Sequence, residues 1–165
     1  MERRRVFITG IGIISPVGLT RETTWDNLVN GVSGIDQIRS FDPDGLETTI
    51  AAEVNDFDPT NYVSKKQAHR MDRFSQLAIA ASLEAVDHAR LDINDNNRER
   101  ISVVIASGIG GIITLEEQIG VLAAKGPSRI SPFLVPMMLP DMASGQVSMI
   151  PVSYTHLTLP TNREV

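Results

Sequence analysis

Residues 107–111, with the sequence SGIGG, form a glycine-rich turn whose backbone could take part in chemistry directly. Because glycine has no side chain, such a turn can seat an anion or let a substrate chain pass close to main-chain N–H groups. A phosphate-binding loop would continue with a Lys-Ser or Lys-Thr pair, and none follows here. The turn lies between a β-branched run at 101–106, which predicts a buried strand, and a helical pattern at 114–124. A strand, a glycine turn and a helix in this order are typical of a parallel α/β sheet.

A second pair of glycines, Gly10 and Gly12, lies inside an apolar run at residues 6–14 that also predicts a buried strand. The pair fits the start of a dinucleotide-binding fingerprint, but Ser15 occupies the position of the third glycine and no helix opens immediately. Glycines inside a strand also indicate a bulge or the close approach of another backbone. A nucleotide-binding α/β domain therefore rests on these two glycines alone and would need retention of a cofactor to support it.

Charged side chains cluster at residues 70–74, RMDRF, near the start of a long helical pattern. Arg70 and Arg73 are three residues apart, so they share one face of a helix. With Asp72 they could form an ion-pair network, or they could simply be a solvated helix end. The sequence leaves both interpretations open.

Metal and cofactor sites are not indicated. His69 and His88 have no second histidine, cysteine or carboxylate at metal-ligand spacing, which favours a surface or packing role for each. The chain contains no cysteine, so disulfides, thiolate metal sites and cysteine nucleophiles are excluded for the sequence as given. We expect neither a metal nor a cofactor.

The composition indicates one folded domain with a sizeable core, because 42% of the 165 residues are hydrophobic. The net charge of -5 argues against nucleic acid as a partner. No segment is apolar over the length that a transmembrane span needs, and none has the form of a secretory signal. We therefore expect no membrane association and a cytoplasmic location.

The elements that position these candidates can be read from periodicity and turn chemistry. A helix should begin at Thr20 or Arg21 and end at Gly31, with Thr20 as a possible N-cap. Trp25 and Leu28 share one side of this helix, and we expect them to pack on the first strand.

Further along, the pattern predicts a strand within 48–54 and a long helix over 65–90. Residues 131–150 are apolar and almost uncharged; prolines interrupt the first half, and a helix can run from Pro140 onward. A helix this apolar is buried in a domain or against a partner chain, and the sequence does not decide between the two.

Five stretches, in this order along the chain, resemble the N-terminal part of the β-ketoacyl-acyl-carrier-protein synthases, the condensing enzymes of fatty acid synthesis. They are residues 6–18 (VFITGIGIISPVG), 31–35 (GVSGI), 70–74 (RMDRF), 107–111 (SGIGG) and 131–148 (SPFLVPMMLPDMASGQVS). The resemblance is to the elongating type, synthase II, and it covers residues 1–150. We therefore expect residues 1–150 to be the N-terminal part of a β-ketoacyl synthase domain.

The resemblance implies a thiolase-like α/β fold, with α-β-α-β-α layers built from two similar halves, of which this chain would contain most of the first. It implies an obligate homodimer whose partners are acyl carrier protein and its acyl and malonyl thioesters. In the implied reaction an acyl group moves from carrier protein to an enzyme cysteine. Malonyl-carrier protein then loses carbon dioxide, and the resulting carbanion attacks the acyl thioester.

The same resemblance implies site residues for the acyl chain. Ile109, in the glycine turn, is similar to a residue at the floor of the acyl pocket. Phe133 and Leu134 are similar to residues that reach across the dimer interface to line the pocket of the partner. Apolar side chains suit an alkyl substrate, since each buried methylene contributes roughly 0.8 kcal/mol.

The resemblance ends after Ile150. The family nucleophile, a cysteine at a helix N-terminus, and its two histidines lie beyond that point, so we expect no catalytic residue in this chain and no condensing activity from it alone. Residues 151–165 contain His156 outside either family histidine motif and resemble translated adapter DNA, so we expect this tail to be an artefact of a truncated reading frame. The alternative is a short non-catalytic protein that binds an acyl chain or carrier protein, or dimerises.

Overall fold

A computed structural model describes residues 5–149, and these form two compact units. The first unit combines residues up to 58 with residues 80–91, and the second combines residues 59–79 with residues from 92 on. The tail at 151–165, with His156, lies outside the described residues. The helices are α1 (Arg21–Val29), α2 (Lys65–Ala68), α3 (Arg73–His88), α4 (Ile112–Lys125), α5 (Leu134–Met138) and α6 (Met142–Met149), and the strands are β1 (Ile35–Gln37) and β2 (Ile50–Ala52).

Helix α1 begins where the sequence predicts. The Thr20 side chain accepts a hydrogen bond from the Thr23 amide, while the Thr23 side chain accepts one from the Thr20 amide, which completes a capping box. The prediction that Trp25 and Leu28 pack on the first strand is wrong, because both side chains are exposed. The helix instead buries Thr24, whose hydroxyl donates to the Gly18 carbonyl oxygen at 3.1 Å.

Strands β1 and β2 form an antiparallel ribbon in which Ile35 pairs with Ala52 and Gln37 with Ile50. The predicted strand at 48–54 is therefore confirmed in its central part. Beyond the ribbon, the Glu53 carboxylate accepts hydrogen bonds from the Ser40 hydroxyl and from the Arg39 amide, the latter at 2.8 Å. The Ser40 hydroxyl bond is the main reason that the pKa of Glu53 is held below its usual value.

The prediction of a buried strand at residues 6–14 is wrong. This segment is not part of a strand, and Val6 is 93% exposed. A strand needs a neighbour to take up its backbone groups, and within the described residues the only ladder is that of β1 and β2. Two amides of the segment bond to α3 instead: Ile11 donates to Nδ1 of His88 at 3.0 Å, and Ile13 donates to Glu84 at 2.7 Å.

Gly10 and Gly12 allow this segment to approach α3 closely. A Cβ atom at Gly10 would lie 2.2 Å from the Ala85 carbonyl oxygen, and one at Gly12 would lie 1.9 Å from that of Ala81. No side chain fits at such distances, so both positions require glycine. Helix packing thus accounts for the two glycines without a bound nucleotide.

In the second unit, the predicted helix over 65–90 is interrupted, because α2 ends at Ala68 and α3 begins at Arg73. The cause is local capping at both helix starts. Ser64 closes a capping box on α2, and the Asp72 carbonyl oxygen accepts the amides of Ser75 and Gln76 in the first turn of α3. The apolar core of this unit includes Val63, Ala68, Met71, Ile79, Ala143 and Val147.

The prediction of a buried strand at 101–106 is also wrong, although the exposure of its side chains alternates from one residue to the next, as it does in a strand. Ile101, Val103 and Ile105 are half-buried, whereas the residues between them are exposed and Val104 is 90% exposed. Over the part of the chain with described coordinates, no strand pairs with this segment. Among the same residues, no helix has the length and apolar character needed to cross a bilayer.

The close approach of Gly12 to α3 gives a testable prediction. Gly12→Ala places a methyl group against main-chain atoms, so we expect the free energy of unfolding to fall by about 1–3 kcal/mol or more in urea titrations followed by circular dichroism. Gly120→Ala in α4 is the control, because open space surrounds that position and alanine should raise stability by up to about 1 kcal/mol. Unchanged stability in Gly12→Ala would contradict this packing.

Acid should release the Glu53 contact. The pKa of Glu53 is lowered in the folded state. The contribution of its hydrogen bonds to stability is therefore complete above the ordinary glutamate pKa of about 4.3, and it is lost as the pH falls through the lower folded pKa. The Ser40 amide resonance should titrate with a midpoint below about 4.3, and Glu53→Gln should remove that transition. A midpoint at or above the ordinary value would show that the carboxylate is not held by Ser40 and Arg39.

Candidate functional site

The glycine turn at 107–111 is ordered by its own serine. The Gly110 amide donates to the Ser107 hydroxyl oxygen at 3.0 Å, and Gly110 has a φ of 79°, a left-handed conformation that favours glycine. Ile109 projects from this turn and is 68% exposed. The turn therefore presents an apolar side chain from a backbone that has little freedom to move.

The turn packs against α5, the short helix that carries the other predicted pocket residues. The Gly111 amide donates to the Met138 carbonyl oxygen at 2.9 Å, and a Cβ atom at Gly110 would lie 2.4 Å from the same oxygen. Phe133 occupies the N-cap position of α5, and Leu134 is its first residue. The structure thus brings together the two elements that carry Ile109, Phe133 and Leu134. Their assignment to an acyl pocket remains a prediction.

Asp72 holds the start of α4, which follows the glycine turn. Its carboxylate accepts the Thr114 amide at 2.8 Å, and the Asp72 residue is only 4% exposed. Helix α4 has Gly111 at its N-cap and no side-chain cap of its own, so the acceptor comes from outside the helix. The interpretation of residues 70–74 as a solvated helix end is wrong for Asp72, because this carboxylate is buried and bonded to a distant amide.

Arg70 of the same motif contacts Phe133. Its guanidinium carbon lies 4.5 Å from the centroid of the Phe133 ring, which is a cation–π contact. The Phe133 amide donates to the Ser131 hydroxyl oxygen at 3.2 Å, and the Ser131 amide donates to Gln118 of α4 at 2.7 Å. The sequence singled out Arg70 and Phe133 separately, and nothing in their spacing predicted that they meet.

The apolar stretch at 131–150 divides between burial and exposure. Helix α6 begins at Met142, close to the predicted start, and buries Ala143, Val147 and Ser148, whereas α5 has no buried residue. Its Ser144 hydroxyl donates to the Ile105 carbonyl oxygen at 3.0 Å and accepts the Ile105 amide at 3.1 Å. Ser144 thereby bonds both the amide and the carbonyl of Ile105, which a neighbouring strand would bond in a β-sheet.

His69 and His88, for which the sequence favoured surface or packing roles, both take part in hydrogen bonding. Nδ1 of His88 accepts the Ile11 amide, and His69 is the C-cap of α2. Among the described residues, no group of three histidine, cysteine, aspartate or glutamate side chains could hold a metal ion.

Comparison with known families gives one match that spans most of the chain. The family model "Beta-ketoacyl synthase, N-terminal domain" matches residues 3–151. A 3-oxoacyl-[acyl-carrier-protein] synthase 2 of Staphylococcus aureus (strain N315) is 51% identical over 148 residues, which is 90% of this chain and 36% of the relative. The chain therefore spans about a third of the length of the curated relatives it matches.

Solved structures with the same fold include an ishigamide ketosynthase/chain length factor. It has a TM-score of 0.76 and 28% identity, and the match covers 90% of this chain and 37% of that one. A type II polyketide ketosynthase, solved in complex with its acyl-carrier protein, has a TM-score of 0.74, and the match covers 93% of this chain and 40% of that one. Its sequence identity is 22%, so this structure supports the fold alone. These neighbours are thiolase-like ketosynthases, which confirms the predicted α/β fold class.

The Ser144 contact can be tested by removing one oxygen. Ser144→Ala leaves the amide and carbonyl of half-buried Ile105 without this partner, so we expect a loss of about 1–3 kcal/mol in the free energy of unfolding. Ser102→Ala, at an exposed position in the same segment, should change stability by less than about 0.5 kcal/mol. Equal effects of the two substitutions in urea titrations would argue against a specific role for Ser144.

Proposed function

The chain belongs to the β-ketoacyl synthase family, and we propose that it is the N-terminal part of a condensing enzyme of fatty acid biosynthesis, a 3-oxoacyl-acyl-carrier-protein synthase. The observation that carries the proposal is the family match over residues 3–151. The relative of 51% identity over 148 residues supports the same assignment and bears the name synthase 2.

The proposed reaction is a decarboxylating condensation. An acyl group passes from the carrier-protein thiol to an enzyme cysteine, malonyl-carrier protein loses carbon dioxide, and the carbanion that remains attacks the acyl carbonyl. The carbon–carbon bond forms as the enzyme thiolate leaves. This chain has no cysteine, so we infer that it does not condense thioesters alone. By the resemblance, it would contribute Ile109 to the floor of its own acyl pocket, and Phe133 and Leu134 to the pocket of a partner subunit.

The proposed partners are acyl carrier protein, its acyl and malonyl thioesters, and a second copy of the parent enzyme. The complex of a related ketosynthase with its acyl-carrier protein supports the first of these. The exposed apolar side chains of Ile109, Phe133 and Val135 are compatible with contacts to an alkyl chain or to a second subunit. A cytoplasmic location is part of the same proposal.

A second candidate is a non-catalytic protein that binds acyl chains or carrier protein, or that dimerises. The lack of cysteine and the exposed apolar side chains around α5 favour it. Both candidates predict no transfer of radiolabelled acyl groups from carrier protein to the purified 165-residue chain. Only the second predicts that this chain alone binds a fluorescent fatty acid saturably.

A chimera tests the enzyme assignment. Residues 1–150 of this chain replace the matching part of the Staphylococcus aureus synthase, and condensation of acyl and malonyl thioesters is measured. Because the two sequences are 51% identical over this region, we expect a folded chimera that retains condensing activity. A folded chimera without activity would contradict the proposal.

Pocket residues can be tested in the same chimera. Ile109→Trp fills space at the proposed pocket floor, so we expect kcat/KM for long acyl chains to fall by at least about tenfold, while short chains are affected less. This corresponds to the loss of about 1.4 kcal/mol of binding, or roughly two buried methylenes. Ile119→Trp, at an exposed position on α4, is the control. Equal losses for short and long chains would exclude Ile109 from the chain-length pocket.

A further inference from the structure

The four residues between α2 and α3, which run from His69 to Asp72, contact Phe133 and the start of α4, the helix that follows the glycine turn of Ile109. We propose that Asp72 and Arg70 are positioning residues for the acyl site: Asp72 fixes the glycine turn of Ile109 through α4, and Arg70 fixes the ring of Phe133. This inference rests on the proposed function, because that proposal assigns Ile109 and Phe133 to an acyl site. The way in which Asp72 and Arg70 position them is argued from contacts within the second unit.

The environment of Asp72 requires its carboxylate to be satisfied by amides. One oxygen accepts the Thr114 amide at 2.8 Å, and the other accepts the Phe74 amide at 3.4 Å. Thr114 is the third residue of α4, and Phe74 is the second residue of α3, so a single negative charge lies at the N-termini of two helices. A buried carboxylate with such partners resists displacement, because moving either helix would leave a charge or an amide unpaired.

The position of Thr114 is transmitted to the glycine turn through the first turn of α4. The Leu115 amide donates to the Gly111 carbonyl oxygen at 3.0 Å, and the Gly111 amide donates to Met138 of α5 at 2.9 Å. A shift of Thr114 would therefore move Gly111 and, through Gly110, Ile109. Asp72 acts on the proposed pocket floor without touching the acyl chain.

Arg70 acts on Phe133, which the resemblance assigns to the pocket of the partner subunit. Its guanidinium lies over one face of the Phe133 ring, and a planar guanidinium stacks on an aromatic ring in a way that a lysine ammonium does not. Phe133 is 36% exposed, so its own packing leaves its rotamer less constrained than that of a core residue. Because Arg70 and Asp72 are only two residues apart, one short segment sets the orientation of both the Ile109 turn and the Phe133 ring.

The test uses nuclear magnetic resonance on the full 165-residue chain. A through-hydrogen-bond coupling between the Thr114 amide nitrogen and the Asp72 carboxyl carbon should be detectable in the unmodified protein. Asp72→Ala should accelerate amide exchange at Thr114, Gly110 and Gly111 by roughly 10-fold or more relative to amides of α1, since hydrogen bonds to charged groups are stronger than neutral ones. Asp72→Asn, which keeps one acceptor oxygen, should accelerate it less.

Matched variants separate positioning from general stability. Asp87→Asn, an exposed aspartate on α3, should leave these amides unchanged. Arg70→Gln should abolish nuclear Overhauser contacts between residue 70 and the Phe133 ring and shift the ring resonances, whereas Arg129→Gln, at an exposed arginine, should do neither.

The proposal is overturned if the coupling is absent, if Asp72→Ala accelerates exchange equally at all amides, or if Arg70→Gln leaves the Phe133 ring unchanged. Should Asp72→Ala fail to fold, the coupling and Asp72→Asn still decide the matter. None of these readouts depends on catalysis. An inactive chimera would therefore reject the proposed function and the acyl-site role, while the contacts of Asp72 with α4 and of Arg70 with Phe133 would stand.

Discussion

Main-chain amides that lie away from solvent need acceptors, and two carboxylates, one on α3 and one just before it, accept amides that are distant in the chain. Glu84 accepts the amides of Ile13 and Arg21, both at 2.7 Å, and thereby joins an extended segment and the start of α1 to one carboxylate. Asp72 does the same for Thr114 at the start of α4. An unmet buried amide costs about 1–3 kcal/mol, so these bonds determine where the segments can lie.

Much of the local structure could be predicted from the sequence. Thr20 caps α1 as its position suggests, and the glycine turn with α4 after it appears where the pattern placed them. These features depend on residues close together in the chain. The five motifs also identified the family, and one of them contains Gly110, whose positive φ is a local backbone requirement.

The failures share one physical cause, which is dependence on distant partners. Residues 6–14 and 101–106 have the composition of buried strands, but composition does not show whether a neighbouring strand exists. The contacts of Asp72 with Thr114 and of Arg70 with Phe133 span 42 and 63 positions, the latter counted as 133 minus 70, and no periodicity indicates them. The break between α2 and α3 is the exception, because it follows from local caps at Ser64 and Asp72.

The matched region is 36% of the length of one curated relative, and the proposed function requires a nucleophilic cysteine that residues 1–165 do not contain. Sequencing the source DNA past the codon for Ile150 tests this most directly. From the proposed function we expect an in-frame continuation that encodes a nucleophilic cysteine and two later histidines. A continuation that encodes an unrelated domain would contradict it.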